Sequence, residues 1–340
     1  MKKFLVSSAL IALVATVFTG CIGGNVAAPG ESPEDVVKEA FANLYDTQSH
    51  TFEAMADIDL VASGQAISGT VKLEGGQDML DPTKPKVNLM IDFNGSAAGF
   101  DDQSGKAEVR MDGENIYFVL HNLSDFGGAL PKEMVEGYFG KWFSMEVPPE
   151  AAKQFALAAS EEYLTEEEKA FREFMKDKLF FKNIEYVGVA SGNHHYKAEL
   201  DKEAFVEVMV EATKMTGEQV SQGDIDDLNK ALEQLEFKAD IFIDPDKKIV
   251  VGMNGDIRLD MEGDAGDVHF EAVMGGFNEA LEVEIPADAT LFDPLMLLGP
   301  AMMMSGSEMG SYDDTMMGDD FTFDESMFDD SMMEEDYLAR

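Results

Sequence analysis

Two long stretches of this chain alternate apolar and polar residues with a period of two, and that pattern limits what it can fold into. Phe52, Ala54, Ala56, Ile58 and Leu60 alternate with Glu53, Asp57 and Asp59. Successive side chains of a strand point to opposite faces, so the run predicts a strand with one dry and one wet face. The pattern returns at residues 71–73, at Val87, Leu89, Ile91 and Phe93, and at Ala107, Val109 and Met111. Residues 116–120 are more continuously apolar, and residues 141–145 add another short run. Gly75-Gly76, Asp81-Pro82 and Asp112-Gly113 separate the runs and supply turns. Short strands with one apolar face, joined by turns, describe an antiparallel meander.

The period becomes helical at both ends of this meander. Ahead of it, Ser32 is placed as an N-cap, Pro33 as the first helical residue, and Glu34 and Asp35 at the positive end of the dipole. Val37, Ala40, Phe41 and Leu44 then form one stripe. After it, Pro148-Pro149-Glu150 opens a helix to about Glu162, and Thr165 with Glu168 forms a capping box for a second. The second carries Phe171, Phe174 and Met175 on one face, ahead of Leu179-Phe180-Phe181. Strands are expected over 184–189 and 195–200, and Asp201 and Asp224 are expected to cap two further helices. The last third returns to strands over 237–243, 249–253, 257–261, 268–273 and 281–285, with a turn at Asp244-Pro245-Asp246-Lys247. Strands, grouped helices, then strands again predict an α+β fold rather than a parallel α/β sheet, and no nucleotide-binding βαβ unit is present.

The first twenty residues read as an export signal. Lys2 and Lys3 precede an apolar run over 4–17, and Phe18-Thr19-Gly20 leads into Cys21. The run is shorter than the ~20 apolar residues that a membrane span needs. The segment resembles a lipobox, with Phe18 where Leu, Val or Ala is usual. The resemblance implies a diacylglyceryl group on the Cys21 thiol and cleavage before it, leaving the protein extracytoplasmic and anchored to a membrane. The other reading is an ordinary secreted protein with an incidental thiol. Cys21 is the only cysteine, so it has no disulfide partner within the chain. Residues 21–31 then form a lipidated tether, residues 32–298 the folded domain, and residues 299–340 a disordered acidic tail.

Charge narrows the partners. The chain carries 67 acidic and 25 basic residues, a net charge of −42, and loss of Lys2 and Lys3 with the signal makes it −44. Nucleic acid is excluded as a natural partner, because phosphate binding needs a basic face. Docking on anionic lipid headgroups through the domain surface is disfavoured for the same reason. The tail concentrates this charge: residues 301–340 hold twelve acids, nine Met and one base, Arg340. That composition cannot build a core. It could hold divalent cations weakly through carboxylates, or Cu(I) through Met302–Met304, Met316-Met317 and Met332-Met333, although free-chain entropy opposes both.

No metalloprotease, phosphate-loop or serine-hydrolase motif occurs. His194 and His195 are neighbours in an expected strand, so they face apart and cannot share one ion. Asp101-Asp102 and Asp226-Asp227 read as solvated surface. Asp244 and Asp246 begin like a calcium loop, but Lys248 and Ile249 stand where a ligand and a Gly belong. The chain is therefore expected to be neither an enzyme nor the carrier of a cofactor.

The order of these features resembles lipoproteins of the LppX and LprG type, which share a fold with the LolA and LolB carriers. The matching segments are the Cys21 lipobox, the first helix with the following hairpin, and Tyr186-Val187-Gly188 with residues 195–201. Residues 239–244 and the closing Val283-Glu284-Ile285-Pro286-Ala287 complete the likeness. The resemblance implies a curved antiparallel sheet, an open half-barrel, with helices packed on the concave face. It further implies that acyl chains lie between sheet and helices, with Trp142, Phe143, Phe171, Phe174, Met175 and Phe180 as candidate lining residues. The alternative is that these six side chains are simply core. Function is accordingly expected to be binding of a lipid or other apolar ligand, or else a structural surface lipoprotein with an acidic coat.

Overall fold

The computed structural model describes residues 32–62, 64–81, 83–97, 100–124, 136–147, 166–215, 220–261 and 264–292. The first described element is α1 (Pro33–Tyr45), followed by β1 (Ser49–Ala62), β2 (Gln65–Asp78), β3 (Lys86–Ala97), β4 (Phe100–Asp112) and β5 (Asn115–Leu123). After a 3-10 turn at Glu136–Tyr138 come β6 (Trp142–Glu146), α2 (Glu166–Asp177), β7 (Phe181–Ala190) and β8 (Asn193–Leu200). Helices α3 (Lys202–Met215) and α4 (Gln222–Glu233) precede β9 (Leu235–Asp244), β10 (Ile249–Met261), β11 (Asp264–Gly275) and β12 (Thr290–Leu291).

The strands form one 12-stranded sheet in the order β12-β6-β5-β4-β3-β2-β1-β11-β10-β9-β8-β7. Strand β1 bridges the two meanders by pairing with both β2 and β11. The sheet is open, with β12 and β7 as its edges. Neighbouring strands are antiparallel except β12, which pairs in parallel with β6. The expected antiparallel sheet is thus met but for this two-residue edge pairing.

Helix α1 starts as its sequence requires. The Ser32 hydroxyl accepts a hydrogen bond from the Asp35 amide at 3.2 Å, and Val37, Ala40, Phe41 and Leu44 are all buried. Ser32→Ala is expected to lower stability by about 1 kcal/mol through loss of this cap, read as a lower urea midpoint. Asp201 caps α3 as expected, accepting from the Glu203 amide at 3.1 Å and the Ala204 amide at 3.2 Å.

At α4 the cap is Ser221, and the expected cap Asp224 sits at the third helical position, completing a reciprocal capping box. The carboxylate of Asp224 accepts from the Ser221 amide at 3.0 Å. Hydrogen bonds from the Ser221 hydroxyl, and then from its amide, hold the Asp224 carboxyl below its ordinary value of 3.8. A depressed folded pKa stabilises above the unfolded value and is lost as pH falls through the folded one. Protection factors over residues 221–226, taken relative to intrinsic exchange at each pH, are therefore expected to fall below pH 3.8, ahead of the buried strands.

Two sequence expectations change in the last third. Residues 249–253 and 257–261 belong to one continuous strand, β10, because the intervening Asn254-Gly255-Asp256 stays in register with β9 and β11. Gly255 permits this: a Cβ there would lie 2.2 Å from the Lys238 carbonyl oxygen and 3.0 Å from the Phe270 ring. Residues 281–285 alternate like a strand but form none. Both sides of β11 are already occupied by β1 and β10, so this segment finds side-chain partners instead. Asp78 accepts from the Leu281 amide at 3.0 Å, while Lys86 donates to the Leu281 carbonyl at 3.3 Å and Arg110 to the Glu284 carbonyl at 2.6 Å. The segment thus straps the polar ends of β2, β3 and β4 on its way to β12. The helix expected from Pro148 and the Thr165 cap lie outside the described residues.

The buried core lies at one end of the sheet. Ile241, Ile243, Met253 and Ile257 are almost wholly buried and form one cluster with Val37, Ala40, Phe205 and Leu232 from the helices. Helix α1 packs on β10 and β7, α4 packs on β9, and α2 and α3 complete the layer.

Candidate apolar binding site

Cross-strand register places one uncharged row across ten strands. It begins Leu120, Ala107, Ile91, Leu73, Ala54 on β5 to β1, each residue opposite the next. It continues Ala272, Met253, Ile241, Tyr196, Tyr186 on β11 to β7. A parallel row joins Phe143, Phe118, Val109 and Leu89. These are same-face neighbours, so the sheet has a single apolar face extending beyond the helical layer.

Burial along that face is uneven. Ala272, Met253, Ile241 and Tyr196 are 4% exposed or less, whereas Leu120, Ala107, Ile91, Leu73 and Ala54 are only half-buried. Among the described residues the difference follows the helices, whose main sheet contacts fall on β7, β9 and β10. Covering a Leu, Ile or Phe side chain contributes about 1.5–3 kcal/mol. A half-covered face of such residues is therefore a surface on which an apolar molecule would gain.

The opposite face is charged and cross-paired. Arg258 meets Asp267 at 2.8 Å, His269 meets Asp256 at 3.0 Å, Lys106 meets Asp92 at 3.7 Å, and Thr70 donates to Asp57 at 2.6 Å. Exposed pairs of this kind contribute little to stability, and they identify the wet side.

The six candidate lining residues do not form one wall. Phe143 is buried on the apolar face, stacked on Phe118 at 5.6 Å and edge-on to Phe292 at 5.9 Å. Trp142 precedes it in the strand and so points to the other face, where the Arg110 guanidinium lies over its ring at 4.6 Å. Phe171 and Phe174 stack on each other at 6.2 Å on α2, Met175 is buried, and Phe180 packs against the helix-covered core. Phe143 alone thus shares the half-covered face. Leu73, Leu89, Ile91 and Val109 lie on it and were visible as alternating apolar residues, but only register gathers them.

Other chemistry is sparse. Among the described residues no group of three or more His, Cys, Asp or Glu is placed to hold a metal ion. His194 contacts the Tyr186 ring at 5.6 Å, while His195 pairs with Asp240 and stacks on Phe242 at 4.9 Å, so the two face apart as expected. The Asp244 carboxylate closes its own turn, accepting from the Asp246 amide at 2.8 Å and the Lys247 amide at 3.0 Å. No described helix is long and apolar enough to cross a membrane. Cys21 and the acidic tail lie outside the described residues.

No protein-family model matches the chain, and no curated protein matches it in sequence. Among solved structures it is similar to a DUF1329 family protein from Desulfovibrio piger, at 9% identity and a TM-score of 0.20, over 75% of this chain and 96% of that one. A β-barrel-like DUF1849 protein from Brucella abortus matches at 8% identity and a TM-score of 0.21, over 67% and 98%. MucB in complex with MucA(peri) matches at 9% identity and a TM-score of 0.11, over 72% and 94%.

Proposed function

We propose that this chain is an extracytoplasmic, non-enzymatic lipoprotein, anchored through Cys21, that binds a lipid or other apolar ligand on the half-covered face of its sheet. The observation that carries the reading is the change along one cross-strand row, from buried Ile241 to half-buried Ile91. A ligand of acyl-chain character fits, because the row offers hydrocarbon without charge and needs no catalytic group. The LppX- and LolA-like half-barrel belongs to this reading, with carriage of the ligand as its further step.

Isolating the protein from its host membrane tests both halves. Mass spectrometry of the N-terminal peptide is expected to find a diacylglyceryl adduct on Cys21, and extraction of the domain to release acyl-chain molecules near one per protein. Protein recovered without bound apolar molecules would remove the ligand reading.

A second reading is favoured by the net charge of −42: a surface lipoprotein whose acidic coat sets spacing or gathers divalent cations. Deleting residues 301–340 is then expected to lower calcium binding, measured by calorimetry, while leaving the circular dichroism spectrum unchanged. Equal calcium binding with and without the tail counts against it.

A further inference from the structure

Strand β7 is an edge of the sheet, and its tip concentrates exposed apolar side chains: Tyr186 is 47% exposed, Val187 48% and Val189 65%. The tip is also free of formal charge. Residues 186–196, from the end of β7 through the turn into β8, contain no Asp, Glu, Lys or Arg, in a chain of net charge −42. Both faces are aromatic. Tyr186 meets Tyr196 at 5.3 Å and His194 at 5.6 Å on one, while His195 stacks on Phe242 on the other. Burial, and then the neighbouring Tyr186, push the Tyr196 phenol above its ordinary value, so it stays neutral.

We infer that the tip of the β7–β8 hairpin is a bilayer-docking element, seated in the interfacial zone of a membrane with zwitterionic headgroups. The exposed Tyr186 ring favours that zone because one end is apolar and the other polar, and Val187 and Val189 supply hydrocarbon beside it. An uncharged tip enters a low-dielectric layer without stripping water from an ion, which the acidic remainder of the surface cannot do.

Competing occupants fit less well. An added strand needs a regular edge, and β7 is broken by irregularities between Lys182 and Glu185 and between Tyr186 and Gly188. Asn183 at φ 53° and Gly188 at φ 146° deform the same edge. A second copy would bring −42 against −42. The inference rests on the anchored reading only for the nearness of the membrane.

The test uses full-chain protein extracted from its membrane and reconstituted into phosphatidylcholine vesicles. An environment-sensitive thiol dye is placed by Val189→Cys, with Val273→Cys, 53% exposed on the charged face, as control. Quenching by lipids carrying a quencher on their acyl chains is expected at position 189 and not at 273; equal or absent quenching at both overturns the inference. The unlabelled Val187→Asp/Val189→Asp variant is expected to lower the fraction of non-lipidated protein sedimenting with the vesicles by ~10-fold. Unchanged sedimentation also overturns it. So does light scattering in which the double substitution dissolves a dimer without affecting vesicle binding. An unmodified Cys21 would remove the anchor alone, because the sedimentation arm needs no anchor.

Discussion

Ile241→Ala is expected to destabilise the protein by about 2–5 kcal/mol, while Ile91→Ala costs about 1 kcal/mol. Both isoleucines belong to the same uncharged cross-strand row. Ile241 is 0% exposed beneath the helices, with Met253 and Tyr196 buried beside it, so truncation leaves a cavity the surroundings cannot fill. Ile91 is half-buried between Leu73 and Ala107, and water already reaches part of its surface. Urea unfolding of ligand-stripped protein, followed by circular dichroism, measures both values. Equal losses would mean that the apolar face over β3 is as well covered as that over β9, and the binding-site proposal would lose its basis.

The second large effect is functional. Ile91→Asp places a carboxylate in the middle of the half-covered face, opposite Leu73 on one side and Ala107 on the other. In the free protein that group stays hydrated. Under a bound acyl chain it must lose water, at a cost of several kcal/mol per ion even after relaxation. Affinity for an apolar ligand is therefore expected to fall at least ~100-fold, while the protein stays folded at a stability no higher than that of Ile91→Ala. Fluorescent fatty-acid titration and co-purified lipid per protein report the loss, and a circular dichroism melt reports the fold. A variant that keeps its bound lipid would show that the ligand lies elsewhere.

Much of the architecture was legible because it is written in short-range periods. The stripe Val37, Ala40, Phe41, Leu44 and the Ser32 cap locate α1, and alternation locates β1, β3 and β4. Failures came where local chemistry was ambiguous. Asn254-Gly255-Asp256 has the composition of a turn, yet its glycine serves close packing inside β10. Leu281, Val283 and Ile285 alternate like a strand, but no sheet edge is free beside β11 to accept one. Ser221 and Asp224 both suit a helix start, and only the reciprocal bonds assign the cap to Ser221. At the candidate site, Trp142 was expected as a lining residue, but its strand parity turns it to the charged face.

The sequence alone determined the α+β class, the dry and wet faces of most strands and the large negative charge. These depend on composition or on neighbours a few residues apart. Tertiary structure decided that β1 joins the two meanders, that the described helices pack on β7, β9 and β10, and that Ile91 and Ile241 share one face with unequal cover. Such facts depend on register between strands distant in the chain, and a period of two specifies which face a side chain takes, not which strand lies beside it.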